Sequence, residues 1–121
     1  MKGLQVLQMF ENGLSHRVAI LIPSTNNVSE SLTVDEHTQY VELYLRLLSE
    51  RFGGATAASK LGAWIDDDGQ LIRENITEVY AFASEITSDD LVFIQQAAMG
   101  LKDELAQEAI AVEIDNKLYF V

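Results

Sequence analysis

Hydrophobic and polar positions change period several times along this chain, and each change marks an element. Leu4 to Phe10 is followed by Glu11-Asn12-Gly13 and then by Ser15 to Ile22, centred on the run Val18-Ala19-Ile20-Leu21-Ile22. Asn-Gly supplies the positive φ angles of a tight turn, so the pattern predicts an N-terminal antiparallel hairpin. A short helix over the first ten residues is the competing reading. Pro23 lacks a backbone donor and closes the second strand. Residues 24–31, STNNVSES, are polar and predict a mobile loop.

The period then becomes helical. Thr33-Val34-Asp35-Glu36 has the spacing of a capping box, with both acids in the first turn where the helix dipole favours them. Tyr40, Val41, Tyr44, Leu45, Leu48 and Phe52 form one apolar stripe, and Gly53-Gly54 ends it, because glycine takes the left-handed conformation cheaply. A second helix opens near Thr87 or Ser88, with the stripe Leu91, Ile94, Ala98, Leu101 and Leu105. Gly100 inside it costs about 1 kcal/mol relative to alanine, which predicts close packing against a sheet.

Between the helices, Leu61–Ile65 and Leu71–Ile72 flank Asp66-Asp67-Asp68-Gly69-Gln70, an Asp-Gly hairpin turn. Ile76–Ala83 follows as a strand. Ile110–Ile114 and Leu118–Val121 end the chain as two strands joined by Asp115-Asn116-Lys117. The order strand–helix–strand–strand–helix–strand predicts a ferredoxin-like α+β sandwich, an antiparallel sheet with two helices on one face and an extra N-terminal hairpin strand. No repeat, linker or low-complexity tract breaks residues 1–121, so one domain is expected.

Alternate residues of a strand face opposite sides. Along Ile76–Ala83 one face carries Ile76, Glu78, Tyr80 and Phe82, and the other Thr77, Val79, Ala81 and Ala83. The small residues suit the face pressed by helices, which leaves the aromatics on the other. Val18–Ile22 and Leu118–Val121 are likewise apolar on both faces. A sheet with one solvated face alternates apolar with polar, and this one does not. Two helices cover only one side, so the far side needs its own cover. A second copy of the chain is the expected cover, giving a homodimer through the sheet face; the N-terminal hairpin folded across it is the rival.

Composition narrows the function classes. Nineteen acids against eight bases give a net charge of −11, which repels phosphate backbones and argues against nucleic-acid partners and anionic membranes. No stretch has the ~18 continuous apolar residues of a membrane span. The N-terminus lacks the pattern of a secretory signal, and a cytoplasmic location is expected. The chain has no cysteine, which excludes thiolate catalysis, disulfides and thiolate metal sites.

The candidate chemistry is sparse. Aligning Gly69 with the glycine of a calcium loop puts Trp64 and Asn75 at ligand positions, which neither fits, so the aspartates read as a turn. Gly53-Gly54-Ala55-Thr56 follows a helix instead of opening one, which is the wrong polarity for a phosphate loop. No spacing of histidine and acid suggests a metal, and no cofactor is expected. His37, in the first turn of helix one, is a structural residue of the helix–sheet seam by default and the candidate catalytic base otherwise. His16 has no evident partner. Tyr40, Trp64, Arg73 and Tyr80 are candidate ligand-binding residues, with an Arg73–Glu74 pair of strand residues as the structural alternative. Tyr80-Ala81-Phe82 has the place of an RNA-recognition strand, but the basic residue and glycines of that signature are missing.

The middle segment resembles a small uncharacterised bacterial family of unknown function in Gly62-Ala63-Trp64, the Asp66-Asp67-Asp68-Gly69 turn and Arg73-Glu74. The helix exit Phe52-Gly53-Gly54-Ala55-Thr56 departs from that family's pattern, with threonine one position early. The resemblance implies the ferredoxin-like type and brings no activity. The expectation is therefore a non-catalytic binding or regulatory module acting as a homodimer, with a possible small-molecule ligand. The alternative is a cofactor-free enzyme of the dimeric α/β-barrel type, using the helix–sheet cleft with His37 as base and Tyr40, Trp64 and Tyr80 lining it.

Overall fold

The computed structural model describes residue 10, residues 13–27 and residues 29–121. The strand expected over residues 4–10 and its turn at Asn12 lie outside this range, Phe10 excepted. The elements are β1 His16–Pro23, β2 Thr25–Asn26, β3 Glu30–Ser31, α1 Val34–Phe52, β4 Thr56–Ile65, β5 Leu71–Ala83, α2 Ser88–Glu104, β6 Ala111–Ile114 and β7 Lys117–Phe120. Five strands form one antiparallel sheet in the order β4-β5-β1-β6-β7. Its first four strands and two helices are the ferredoxin-like α+β arrangement, and β7 extends it at one edge.

Both helices start as their sequences require. Thr33 and Thr87 accept from the backbone of Glu36 and Asp90, whose carboxylates return a bond to each cap, a device worth about 1 kcal/mol. Gly53 ends α1 at φ 88°, with its N–H on the Ser49 carbonyl. Val18, Ile20 and Ile22 of β1, Val79 and Ala81 of β5, and Val112 of β6 meet Tyr44 and Leu48 of α1 and Ile94, Ala98 and Leu101 of α2 in one core. The predicted division of β5 therefore holds: Val79 and Ala81 lie under the helices, and Tyr80 and Phe82 occupy the open face.

Four details depart from expectation. β4 begins at Thr56, five residues before Leu61, because pairing with Glu78, Val79 and Tyr80 of β5 overrides the weak strand preference of Thr56-Ala57-Ala58-Ser59. The polar segment 24–31 contains the short β2–β3 pair, fastened where the Asn27 N–H reaches the Leu105 carbonyl at 2.8 Å. Gly100 packs against nothing; a Cβ there would meet open space. His16 has a partner, with Nδ1 2.7 Å from Asp115 Oδ2.

The β4–β5 ribbon outruns the sheet. β1 ends at the pair Pro23–Ile76, while β4 and β5 stay paired as far as Ile65 and Leu71. Glu74 therefore stands on a strand with no neighbour on its β1 side.

Candidate functional site

The open face carries polar groups in two protected places. At its centre, Arg17 donates to Glu113 Oε2 at 2.5 Å and to Glu78 Oε1 at 2.6 Å. Lys60 Nζ lies 3.4 Å from the same Glu78 oxygen, and the guanidinium covers the Tyr80 ring. Burial works against the Arg17 charge, but the pairing with Glu78 and Glu113 overcomes it and holds the group above its ordinary value. Within the network the two carboxylates of Glu78 and Glu113 offset the charges of Arg17 and Lys60. Its role is to let a sheet with no helix above it bury Glu78, which is only 4% exposed.

The second place is a pocket of about 190 Å³ at the end of the face, where β1 stops and β5 continues. Leu21, Pro23, Ile76 and Phe120 give it apolar walls, and Glu74 and Gln107 give it polar groups. Among the described residues lining it, Glu74 alone is ionisable. Glu74 Oε1 accepts from Thr25 Oγ1 at 3.0 Å. A carboxylate in a mostly apolar concavity is the arrangement expected of a site for a small cationic ligand.

The residues singled out from the sequence do not converge. His37 is on α1, with Nδ1 3.0 Å from the Pro23 carbonyl and Nε2 2.8 Å from Thr77 Oγ1, so both ring nitrogens are engaged in fastening α1 to the sheet. A cavity of about 260 Å³ opens beside it, lined by Ser24, Leu32, Thr33, His37, Thr38 and Asn75; Tyr40, Trp64 and Tyr80, expected to line a cleft with His37, do not line this one. Tyr40 reaches the Glu104 carboxylate from α1. Trp64 and Tyr80 share the open face but pair with Ile72 and Thr56, about eight strand positions or roughly 26 Å apart. Arg73 projects to the opposite face from Glu74, so the two do not form a cross-strand pair.

Of the groups at the pocket, Glu74 stands out in the sequence only as the neighbour of Arg73. Its signal was the interruption of an apolar alternation, Ile72-x-Glu74-x-Ile76. Thr25 and Gln107 carried no such signal. Among the described residues, no cluster of three or more His, Asp or Glu side chains has metal-site geometry, and no helix is long and apolar enough to cross a membrane.

No family model matches the chain. Its fold is shared with two solved structures of a phage SAM lyase. One, in complex with S-methyl-5′-thioadenosine, has a TM-score of 0.65 at 18% identity, covering 93% of this chain and 94% of that one. The other, in the apo state, has a TM-score of 0.65 at 17% identity, covering 93% and 92%. The expectation of a non-catalytic module is corrected by this finding, because the fold that the chain shares over nearly its whole length is that of an enzyme.

Proposed function

We propose that this chain is an enzyme that binds S-adenosylmethionine in the Glu74 pocket and splits it to S-methyl-5′-thioadenosine. The observation that carries the reading is the pocket itself: one carboxylate set against apolar walls on a fold shared with a SAM lyase. A sulfonium substrate is cationic, and a chain of net charge −11 draws it in by its long-range field.

The chemistry asks little of the protein in acid catalysis. When the bond from sulfur to the methionyl carbon breaks, sulfur leaves with the bonding pair as a neutral thioether, and no proton is needed at the leaving group. Leu21, Ile76 and Phe120 favour that uncharged thioether over the sulfonium by keeping water from the charge. The vacated carbon must receive an electron pair from within the substrate. Either the substrate's own carboxylate closes on it to form a lactone, or a neighbouring C–H bond supplies the pair to form an alkene while Glu74 accepts the proton.

The test is incubation of the purified chain with S-adenosylmethionine, followed by mass-spectrometric detection of S-methyl-5′-thioadenosine and its co-product. Glu74→Gln is expected to lower turnover by about a hundredfold or more while leaving the fold intact. A wild-type protein that forms no thioadenosine overturns the proposal.

The same reading includes a homodimer through the open face. Phe82, Trp64, Leu118 and Phe120 lie there with 45% or more of their surface exposed, an apolar display that monomeric proteins rarely leave bare. The pocket opens on this face, so a second chain would stand at its mouth. Sedimentation at low micromolar concentration checks this: Leu118→Glu should lower the mass, and a wild-type monomer sinks the assignment.

A further inference from the structure

The Glu74 carboxylate is held by a chain of contacts that begins in a different part of the sequence. Thr25 Oγ1 donates to Glu74 Oε1 at 3.0 Å. Thr25 is gripped in turn by Gln107, whose Nε2 donates to the Thr25 carbonyl at 2.9 Å and lies 3.4 Å from Thr25 Oγ1. The same nitrogen reaches the Leu105 carbonyl at 3.1 Å. A threonine hydroxyl has one hydrogen to give. The two hydrogens of the Gln107 amide go to the Thr25 and Leu105 carbonyls, which fixes the Thr25 backbone where its hydroxyl hydrogen is given to Glu74.

The backbone is arranged to deliver Gln107 to this point. Helix α2 ends at Glu104 with Leu105 as its C-cap, and Ala106 takes a left-handed conformation at φ 47°, unusual for a residue with a Cβ. That turn sends the Gln107 N–H back to the Lys102 carbonyl at 2.9 Å and points the chain toward β2. The Asn27 N–H on the Leu105 carbonyl ties the two loops together a second time.

We infer that Thr25 and Gln107 are positioning residues for the pocket: Gln107 holds the Thr25 backbone in place, and the Thr25 hydroxyl fixes Glu74. The inference rests on the reading of Glu74 as the functional carboxylate. Glu74 stands on the part of β5 that has outrun β1, so no β1 residue pairs with it on that side. Without Thr25 its side chain would be free to swing toward solvent and leave the apolar walls without a charge. The hydroxyl binds Oε1, and among the described residues Oε2 has no hydrogen-bond donor on it.

Steady-state kinetics on S-adenosylmethionine, with thioadenosine formation as the readout, test the inference through Thr25→Val, Thr25→Ser, Gln107→Leu and the pair Thr25→Val/Gln107→Leu. Valine keeps the shape of threonine without the hydroxyl, and serine restores the hydroxyl. Thr25→Val is expected to lose about tenfold in kcat with KM within about threefold, and Thr25→Ser to recover most of it. Gln107→Leu should resemble Thr25→Val, and the double variant should be no worse than either single change, because both act on one contact. If wild type turns over and Thr25→Val, folded by circular dichroism, matches it, the positioning role is overturned and the Glu74 reading stands. If wild type neither turns over substrate nor binds S-methyl-5′-thioadenosine, the functional reading fails. The relay is then judged on a crystal structure of Thr25→Val: a displaced Glu74 side chain supports it, and an unmoved one overturns it.

Discussion

The guanidinium carbon of Arg17 sits 4.3 Å from the centroid of the Tyr80 ring, and the terminal nitrogens of the same side chain are held by Glu78 and Glu113. Stacking and pairing together lock one charged side chain flat on a sheet face that no helix covers. Glu78 depends on it most, since Lys60 at 3.4 Å is its other cationic partner. Arg17→Met strands a buried carboxylate and should cost about 2–4 kcal/mol in urea unfolding. Arg17→Met combined with Glu78→Leu should cost less than Arg17→Met alone, because an apolar pair replaces a broken ionic one and Glu113 can turn to water. A double variant weaker than the single one would refute the view that Glu78 is the liability.

Tyr44 makes a prediction at alkaline pH. Its hydroxyl donates to the Ala97 carbonyl at 2.8 Å, and burial, with a smaller push from Glu104, raises its ionisation to about 12. The folded state thus holds the proton more tightly than the unfolded chain, whose tyrosines release it near 10. The resulting stabilisation is complete below pH 10 and is lost as pH rises through about 12. Tyr44→Phe should be less stable at neutral pH by about 1 kcal/mol and should show a shallower alkaline decline. Ultraviolet titration should find one of the four tyrosines ionising at about 12 in wild type and not in the variant.

Acid acts in the opposite sense. Asp90 is held below its ordinary range first by the Thr87 backbone N–H and then by Arg51. Asp115 is held low by the Arg17 N–H and then by His16. A depressed carboxylate contributes stability that is present above its unfolded value and lost as pH falls through the folded one. The urea midpoint should therefore fall below about pH 4. Asp90→Asn removes one titrating group, so its deficit relative to wild type should shrink as the pH is lowered. A deficit that stays constant down to pH ~2 would show that Asp90 acts by shape alone.

What the sequence revealed and what it concealed follow from how local each feature is. The Thr33 and Thr87 caps, the left-handed Gly53 and the stripes of α1 and α2 were legible because each depends on residues within a turn or two. The faces of β5 were legible because alternation is local as well. β2 and β3 were not, since two-residue strands have no period and are held from Leu105 and Gln107. The site was hidden for the same reason. Thr25, Glu74 and Gln107 are joined across 49 and 82 positions, and no spacing rule links them. Aromatic and glycine-rich positions drew attention in the sequence, whereas the pocket was built from an isolated acid, a threonine and a glutamine.

A glycine shapes this pocket from the ribbon side. Gly62 pairs with Glu74 across β4 and β5, and a Cβ added to it would lie 2.7 Å from Cδ1 of Ile76, one of the apolar walls. The backbone of Gly62 is not in the left-handed region, so alanine meets no conformational penalty there and would even reduce the freedom of the unfolded chain. The obstacle is contact alone. Gly62→Ala should therefore displace the Cδ1 end of the Ile76 side chain, costing about 1 kcal/mol as overpacking and disturbing the pocket. Ile76→Val deletes the clashing methyl, so Gly62→Ala/Ile76→Val should recover most of the stability lost by the single variant. Denaturation midpoints of the four proteins decide it: strictly additive losses would show that Gly62 is required for some reason other than room for Ile76.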